Sequence, residues 1–233
     1  MVANLALVLG AYLLGSIPHL SLLARFRRVD LDGDFHQSLW SRGGRLLAVV
    51  GIAGEVIKGL LPIIVGSRLG FELPVLALAG LAVVSGQMWP VFARFDGEKG
   101  NSVAFPMALA LTLQTTLIAM IPALLALIAR TLPRLLRSSS RKQPVFGGAY
   151  SRVLPLGVAI SLFILPLLSW YMGKPLEIIL GYSVLFVLIM TRRITAGLRA
   201  DLRGSTNLAA VILNRFLYDR ATTEWRKEGA IER

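Results

Sequence analysis

The chain reads as an all-α polytopic membrane protein with about seven transmembrane or half-spanning helices, its N-terminus outside and its C-terminus cytoplasmic. Three observations predict this. Of 233 residues, 55% are hydrophobic and only 16% charged, with mean hydropathy +0.67, too apolar for an ordinary soluble domain. Apolar runs recur at the length of about 20 residues that crosses a hydrocarbon core. The basic residues behind a formal net charge of +12 fall between those runs and in the tail. They form no basic face interleaved with aromatic residues, so nucleic acid is not an expected partner; anionic lipid and an anionic substrate are.

The first span covers residues 3–23. No basic stretch precedes it and Arg25, Arg27 and Arg28 follow at once, so it reads as an anchor with its N-terminus outside and not as a cleaved leader. Residues 46–65, 73–91, 153–172 and 175–191 supply four more spans. Residues 103–128 are resolved by charge. Crossing once, they would place Arg130, Arg134, Arg137, Arg141, Lys142 and Arg152 opposite the Arg-rich loop of residues 25–45, against the cytoplasmic bias of Lys and Arg. A hairpin of two short helices turning at Gln114, Thr115 and Thr116 keeps both loops inside, and Pro106 and Pro122 suit helices that begin or bend there. Each arm would reach only about 18 Å at about 1.5 Å per residue, so the hairpin must be buried among other helices.

In the tail, Leu208, Val211, Ile212 and Phe216 recur at helical spacing, followed by Trp225, with Arg215, Arg220, Arg226 and Lys227 interspersed. This predicts an amphipathic helix lying on the membrane. The chain accordingly divides into a membrane domain, residues 1–192, and a cytoplasmic basic tail, residues 193–233. Residues 138–148 read as a flexible connector.

Chemistry is concentrated on the cytoplasmic side. Between Gly86 and Ser102 a long apolar run gives way to a glycine-rich turn carrying Arg94 and Lys99. Gly97 and Gly100 permit positive φ and close approach of backbone N–H groups to an anion, while Lys99 adds a compact charge with three donors. Gly97, Glu98, Lys99, Gly100 and Asn101 are thus candidate phosphate-binding residues; the alternative is a solvated connector with Arg94 and Lys99 as interfacial anchors. Glu55 and Lys58 share one face of the second span, either as a mutual ion pair or as part of a substrate site. Ser16, in Gly15-Ser16-Ile17-Pro18, either bonds its own helix or donates to a substrate near the headgroups.

Cysteine is absent, which removes disulfides, thiolate nucleophiles and cysteine metal sites. Neither histidine has an aspartate five residues on: Ala24 follows His19 and Ser41 follows His36, which excludes a His-x4-Asp acyltransferase. Asp30, Asp32 and Asp34 sketch a calcium loop, but Phe35 stands where the tight-turn glycine is required, so no metal is expected. Nor does Asp32-Gly33 carry the Ala-Arg and later aspartates of CDP-alcohol phosphotransferases. His36 reads as a surface histidine, with a general base as the alternative.

Three of these elements together resemble the bacterial acyl-phosphate-dependent glycerol-3-phosphate acyltransferase family, the PlsY family. Ala11 through Pro18 resembles that family's first helix, Glu55-Val56-Ile57-Lys58-Gly59 its Asp-x-x-Lys-Gly, and Gly86 through Gly100 its Gly-His-x-x-Pro-Val-Phe-x-x-Phe-x-Gly-Gly-Lys-Gly loop, in the same order and spacing. The resemblance implies a seven-helix fold in the plasma membrane and transfer of a fatty acyl group from acyl phosphate to glycerol 3-phosphate, without a cofactor. It implies that the loop at Lys99 holds the donor phosphate, with Ser16, Lys58 and Arg199 as further catalytic candidates and Glu55, Gln87, Arg42 and Arg45 in support. An acyl phosphate is already activated, so no enzyme nucleophile is needed; the site must hold two phosphates and align hydroxyl with carbonyl. The chain departs from the family pattern in several places, Ser205-Thr206-Asn207 in place of a threonine and glutamate among them. Residues 28–45 lack its glycine- and asparagine-rich elements, Gln87 replaces the loop histidine, Glu98 replaces a glycine, and Ala196 stands where the last motif has asparagine. An active enzyme and a non-catalytic relative that binds lipid or phosphate both remain open.

Overall fold

Pro18 shapes the first helix. It carries no N–H for the preceding turn and forces Ile17 out of helical conformation, so Ile17 is extended at φ −66° and ψ 116°. The chain therefore forms α1 (Val2–Ser16), breaks, and resumes as α2 (His19–Phe26), the pair making one apolar span. The structure, a computed structural model, describes residues 1–28, 39–136, 153–198, 201–202 and 207–219. A short π-helical turn (Leu39–Gly43) leads into α3 (Arg45–Arg68), then α4 (Leu73–Met88) and a 3-10 turn (Val91–Ala93). Three shorter helices follow: α5 (Asn101–Leu111), α6 (Leu113–Ala119) and α7 (Ile121–Leu136). Then come α8 (Val153–Tyr171), α9 (Leu176–Thr195) and α10 (Leu208–Tyr218).

Five of these segments are long and apolar enough to cross a membrane, with α6 and α7 forming a sixth candidate bent by 44°. Lipid-type packing is evident in where small residues sit. A Cβ added at Gly15 would lie 2.1 Å from the Val83 carbonyl oxygen, and one at Gly86 2.2 Å from that of Tyr12. The two glycines thus let α1 and α4 touch backbone to backbone, the usual means of helix association where lipid tails are as apolar as leucine. Val83, Val84, Met88, Val103, Ala104, Met107, Leu185 and Ile189 fill the core where α4, α5 and α9 meet, while large apolar residues such as Leu5, Ile57, Leu125 and Val187 are exposed on the outside of the bundle.

The expected reversal within residues 103–128 is present, but displaced. Gln114, Thr115 and Thr116 lie inside α6; the helical path breaks instead at Thr112, φ −147° and ψ 84°. Thr115 reaches Met172 Sδ at 3.4 Å beyond the end of α8, Ala123 N donates to Ser161 Oγ at 3.1 Å, and Ala126 abuts Gly157. From Thr115 onward the chain therefore runs antiparallel to α8. A break buried in a bundle needs hydroxyl partners. Thr116 Oγ1 and Tyr182 Oη donate to the Ala108 carbonyl at 2.9 and 3.0 Å, and Thr112 Oγ1 lies 2.6 Å from Tyr182 Oη. Those partners explain why the turn moved: Tyr182 comes from α9, and no local pattern announces it.

The tail helix also differs from expectation. Val211 and Arg215, one turn apart on a single face, are both buried, and Phe216 packs on the core. Arg215 therefore does not belong to a solvated basic face. Asp30, Asp32, Asp34, His36, Arg199, residues 138–148, Arg220, Trp225, Arg226 and Lys227 lie outside the described residues.

Candidate active site

The break in the first span creates a need that Lys58 meets. Helix ends leave carbonyls without intrahelical partners and carry partial negative charge. Lys58 Nζ donates to the Gly15 carbonyl at 3.3 Å, to the Ile17 carbonyl, and to Gln87 Oε1 at 3.2 Å. Three acceptors match the three protons of the ammonium. Gln87 Nε2 in turn donates to Glu55 Oε1 at 3.1 Å. The expected Glu55–Lys58 relationship is thus mediated by an amide from α4, and Lys58, Glu55 and Gln87 are all buried. Ser16 is fully buried and donates to the Tyr12 carbonyl at 2.9 Å, so its proton is spent on its own helix.

Beside this network, a cleft is lined by Ser16, Pro18, Ser21, Gln87, Asp96 and Glu98 among others. Its far wall is the glycine loop, clamped from above by α9. Arg192 donates from Nε to the Glu98 carbonyl at 3.4 Å and from Nη2 to Asp96 Oδ1 at 3.1 Å and to the Gly97 carbonyl. Glu98 N donates to the Gln87 carbonyl at 3.1 Å, which ties the loop back to α4. The two glycines serve different needs. Gly100 adopts φ +78° as it caps α5, whereas Gly97 has no positive φ but leaves no room for a side chain: an added Cβ would sit 2.3 Å from the Gln87 carbonyl oxygen. Positive φ falls instead on Arg94 and Phe95, at 54° and 62°. Asn101 opens α5 with its buried Oδ1 accepting no hydrogen bond among the described residues.

Lys99, the one lysine of the loop, is 40% exposed at its side chain and pairs with Asp219 Oδ2 at 2.8 Å, just past α10. Two buried arginines lie nearby. Arg193 is 1% exposed and donates to the Pro155 carbonyl at 3.0 Å, and Arg215 donates to the carbonyls of Arg193 and Ala196 and to Asp201 Oδ2. These bonds bind the start of α8, the end of α9 and α10 into one unit.

The structure therefore brings Ser16, Gln87, Gly97 and Glu98 to the lining of one cleft, with Lys58 and Glu55 joined to it through Gln87, Lys99 and Gly100 on the loop that walls it, and Asn101 at the start of α5. Arg42 and Arg45, in the π-helical turn and at the start of α3, are exposed and do not line it. Arg192, Arg193, Arg215 and Asp219 were not foreseen. The sequence shows Arg192 and Arg193 as two bases ending an apolar run, which reads as an interfacial anchor; only the i, i+4 spacing of Val211 and Arg215 hinted that Arg215 faces inward.

The profile of the family described as glycerol-3-phosphate acyltransferase matches residues 5–200. A glycerol-3-phosphate acyltransferase of Pseudomonas putida is 33% identical over 192 residues, covering 80% of this chain and 89% of that protein. Glycerol-3-phosphate acyltransferase 4 of Dehalococcoides mccartyi is 27% identical over 228 residues, covering 93% of this chain and 88% of the relative. The match to the Trichlorobacter lovleyi glycerol-3-phosphate acyltransferase is 36% identical over 116 residues but spans 48% of this chain and only 60% of that relative's length. The fold is similar to that of crystalline PlsY (YgiH), an integral membrane glycerol 3-phosphate acyltransferase, in its lysophosphatidic acid form, with TM-score 0.67 at 24% identity, covering 87% of this chain and 93% of that one. Its glycerol 3-phosphate form gives TM-score 0.65 at 23% identity. With its glycine loop, its broken first span and nearly all of its membrane helices inside the matched residues, the chain belongs to the glycerol-3-phosphate acyltransferase family.

Proposed function

We propose that the protein transfers a fatty acyl group from acyl phosphate to the 1-hydroxyl of glycerol 3-phosphate, giving lysophosphatidic acid and phosphate. The hydroxyl oxygen adds to the acyl carbonyl carbon, the bond from that carbon to the phosphate oxygen breaks, and the hydroxyl proton leaves with the phosphate. The observation that carries this reading is the Lys99 loop, held by Arg192 and by the α4 backbone beside a cleft. Lys99 and the amides around Gly100 are assigned to the donor phosphate, where preset donors act without reorganising during reaction. Lys58, with its donors spent on the Gly15 and Ile17 carbonyls and Gln87, is assigned to holding the first span in its broken shape. Ser16 and Arg199 remain catalytic candidates by family pattern, Ser16 as a cleft-lining acceptor.

In the membrane, this reading has seven apolar segments: α1 with α2, α3, α4, the half-spanning α5, α6 with α7, α8 and α9. It places the N-terminus outside, and the Lys99 loop and the tail of residues 193–233 on the cytoplasmic face of the plasma membrane. Electrophoretic or mass-spectrometric detection of lysophosphatidic acid from palmitoyl phosphate and glycerol 3-phosphate tests the activity. A second reading, a non-catalytic relative that binds phosphate or lipid, draws on Glu98 lining the cleft. Binding of palmitoyl phosphate without product in the presence of glycerol 3-phosphate would select it.

A further inference from the structure

We propose that the Glu98 carboxylate accepts a hydrogen bond from the 2-hydroxyl of glycerol 3-phosphate in the cleft beside Ser16 and Gln87, which makes Glu98 a residue that selects the acceptor. It rests on the acyl-transfer reading above, and it holds whichever substrate's phosphate lies against Lys99. The family pattern has glycine at this position, with no side chain to offer. Here the backbone of Glu98 is fixed on both sides, its N donating to the Gln87 carbonyl at 3.1 Å and its carbonyl accepting from Arg192 Nε at 3.4 Å. Its carboxylate acts on Lys58 more strongly than that of Glu55 does, which places it toward the broken first span.

The hydrogen-bonding groups of the cleft point to a ligand that donates. Ser16, Ser21, Gln87, Asp96 and Glu98 are the polar side chains of its lining, and no lysine or arginine lines it among the described residues. Two of the lining's donors are engaged inside the protein: Ser16 gives its proton to the Tyr12 carbonyl, and Gln87 Nε2 donates to Glu55. What these residues turn to a ligand is acceptor capacity, the lone pairs of Ser16 Oγ and the carboxylate oxygens of Glu98. Such a lining suits the hydroxyls of a polyol and repels a phosphate dianion. Of the two hydroxyls of glycerol 3-phosphate, the reacting one gives its proton to the leaving phosphate, so the 2-hydroxyl is the one whose proton stays with the protein.

For the full chain in detergent, titration calorimetry compares glycerol 3-phosphate with 3-hydroxypropyl phosphate, which keeps the 1-hydroxyl and the phosphate but lacks the 2-hydroxyl. The parent protein should prefer glycerol 3-phosphate about 10-fold, the effect of one hydrogen bond to a charged group. In Glu98→Gly that preference should vanish, while Glu98→Gln, which keeps one acceptor oxygen, should retain part of it. The ratio of the two affinities is the readout, because loss of the negative charge acts equally on both phosphates. A parent protein without the preference, or a ratio unchanged in Glu98→Gly with both ligands and inorganic phosphate bound more tightly, overturns the contact and reduces Glu98 to a repelling charge. A preference lost in Glu98→Gly, with no lysophosphatidic acid formed by the parent from palmitoyl phosphate, overturns the acyl-transfer reading instead and leaves the contact standing.

Discussion

The ammonium of Lys58 closes a break 41 residues away, donating to the carbonyl of Ile17 where Pro18 interrupts the first membrane span. An apparent intramembrane charge is thus the completion of a helix end. Because α1 cannot continue through Pro18, the bundle needs a cation at that point, and the second span supplies it from the turn after Glu55.

Lys58→Met should strand the Gly15 and Ile17 carbonyls and Gln87 Oε1 in an apolar interior. Each unsatisfied buried group costs about 1–3 kcal/mol, so the detergent-solubilised protein should lose several kcal/mol of reversible unfolding free energy. Adding Glu55→Gln should recover part of the loss, since Gln87 couples the two residues. Strictly additive effects in the unfolding measurement would contradict the bridge.

Arg192→Lys tests the clamp over the loop. Arg192 reaches Asp96, Gly97 and Glu98 at once through a planar fork that a lysine ammonium cannot reproduce. The variant should keep its fold, speed amide hydrogen exchange over residues 96–100, and lower kcat/KM about 10-fold. Exchange indistinguishable from the parent protein would show that the loop is held by its α4 bond alone.

Much of this was legible in the sequence, for reasons that also mark its limits. Span lengths recovered the long helices because they obey the dimensions of a bilayer. The helical period placed Glu55 and Lys58 on one face, but Gln87 arrives from another helix and turns a pair into a relay. The same limit applies to the hairpin: the reversal follows from charge, while its position at Thr112 is decided by Tyr182, 70 residues away. Glycine identity suggested positive φ at Gly97, where packing against Gln87 is the actual demand. Burial of Arg215 depends on the carbonyls at the end of α9, which no local pattern encodes.

Topology can be read with single cysteines, since the chain has none of its own. Cysteines replacing Ser41 and Ser139 should both be shielded from an impermeant thiol reagent in intact cells, while one replacing the exposed Leu69 should be labelled. Labelling at Ser139 with protection at Ser41 would show that residues 103–128 cross once and remove the hairpin.

The central claim is that the loop around Lys99 holds the donor phosphate, and Lys99→Ala tests it most directly. Charge-assisted bonds to a phosphate contribute about 1.5–3 kcal/mol, so the variant should raise KM for palmitoyl phosphate about 10- to 150-fold in a phosphate-release assay with glycerol 3-phosphate present. A correctly folded Lys99→Ala protein with unchanged KM and turnover would reduce the loop to a connector between helices and contradict the account.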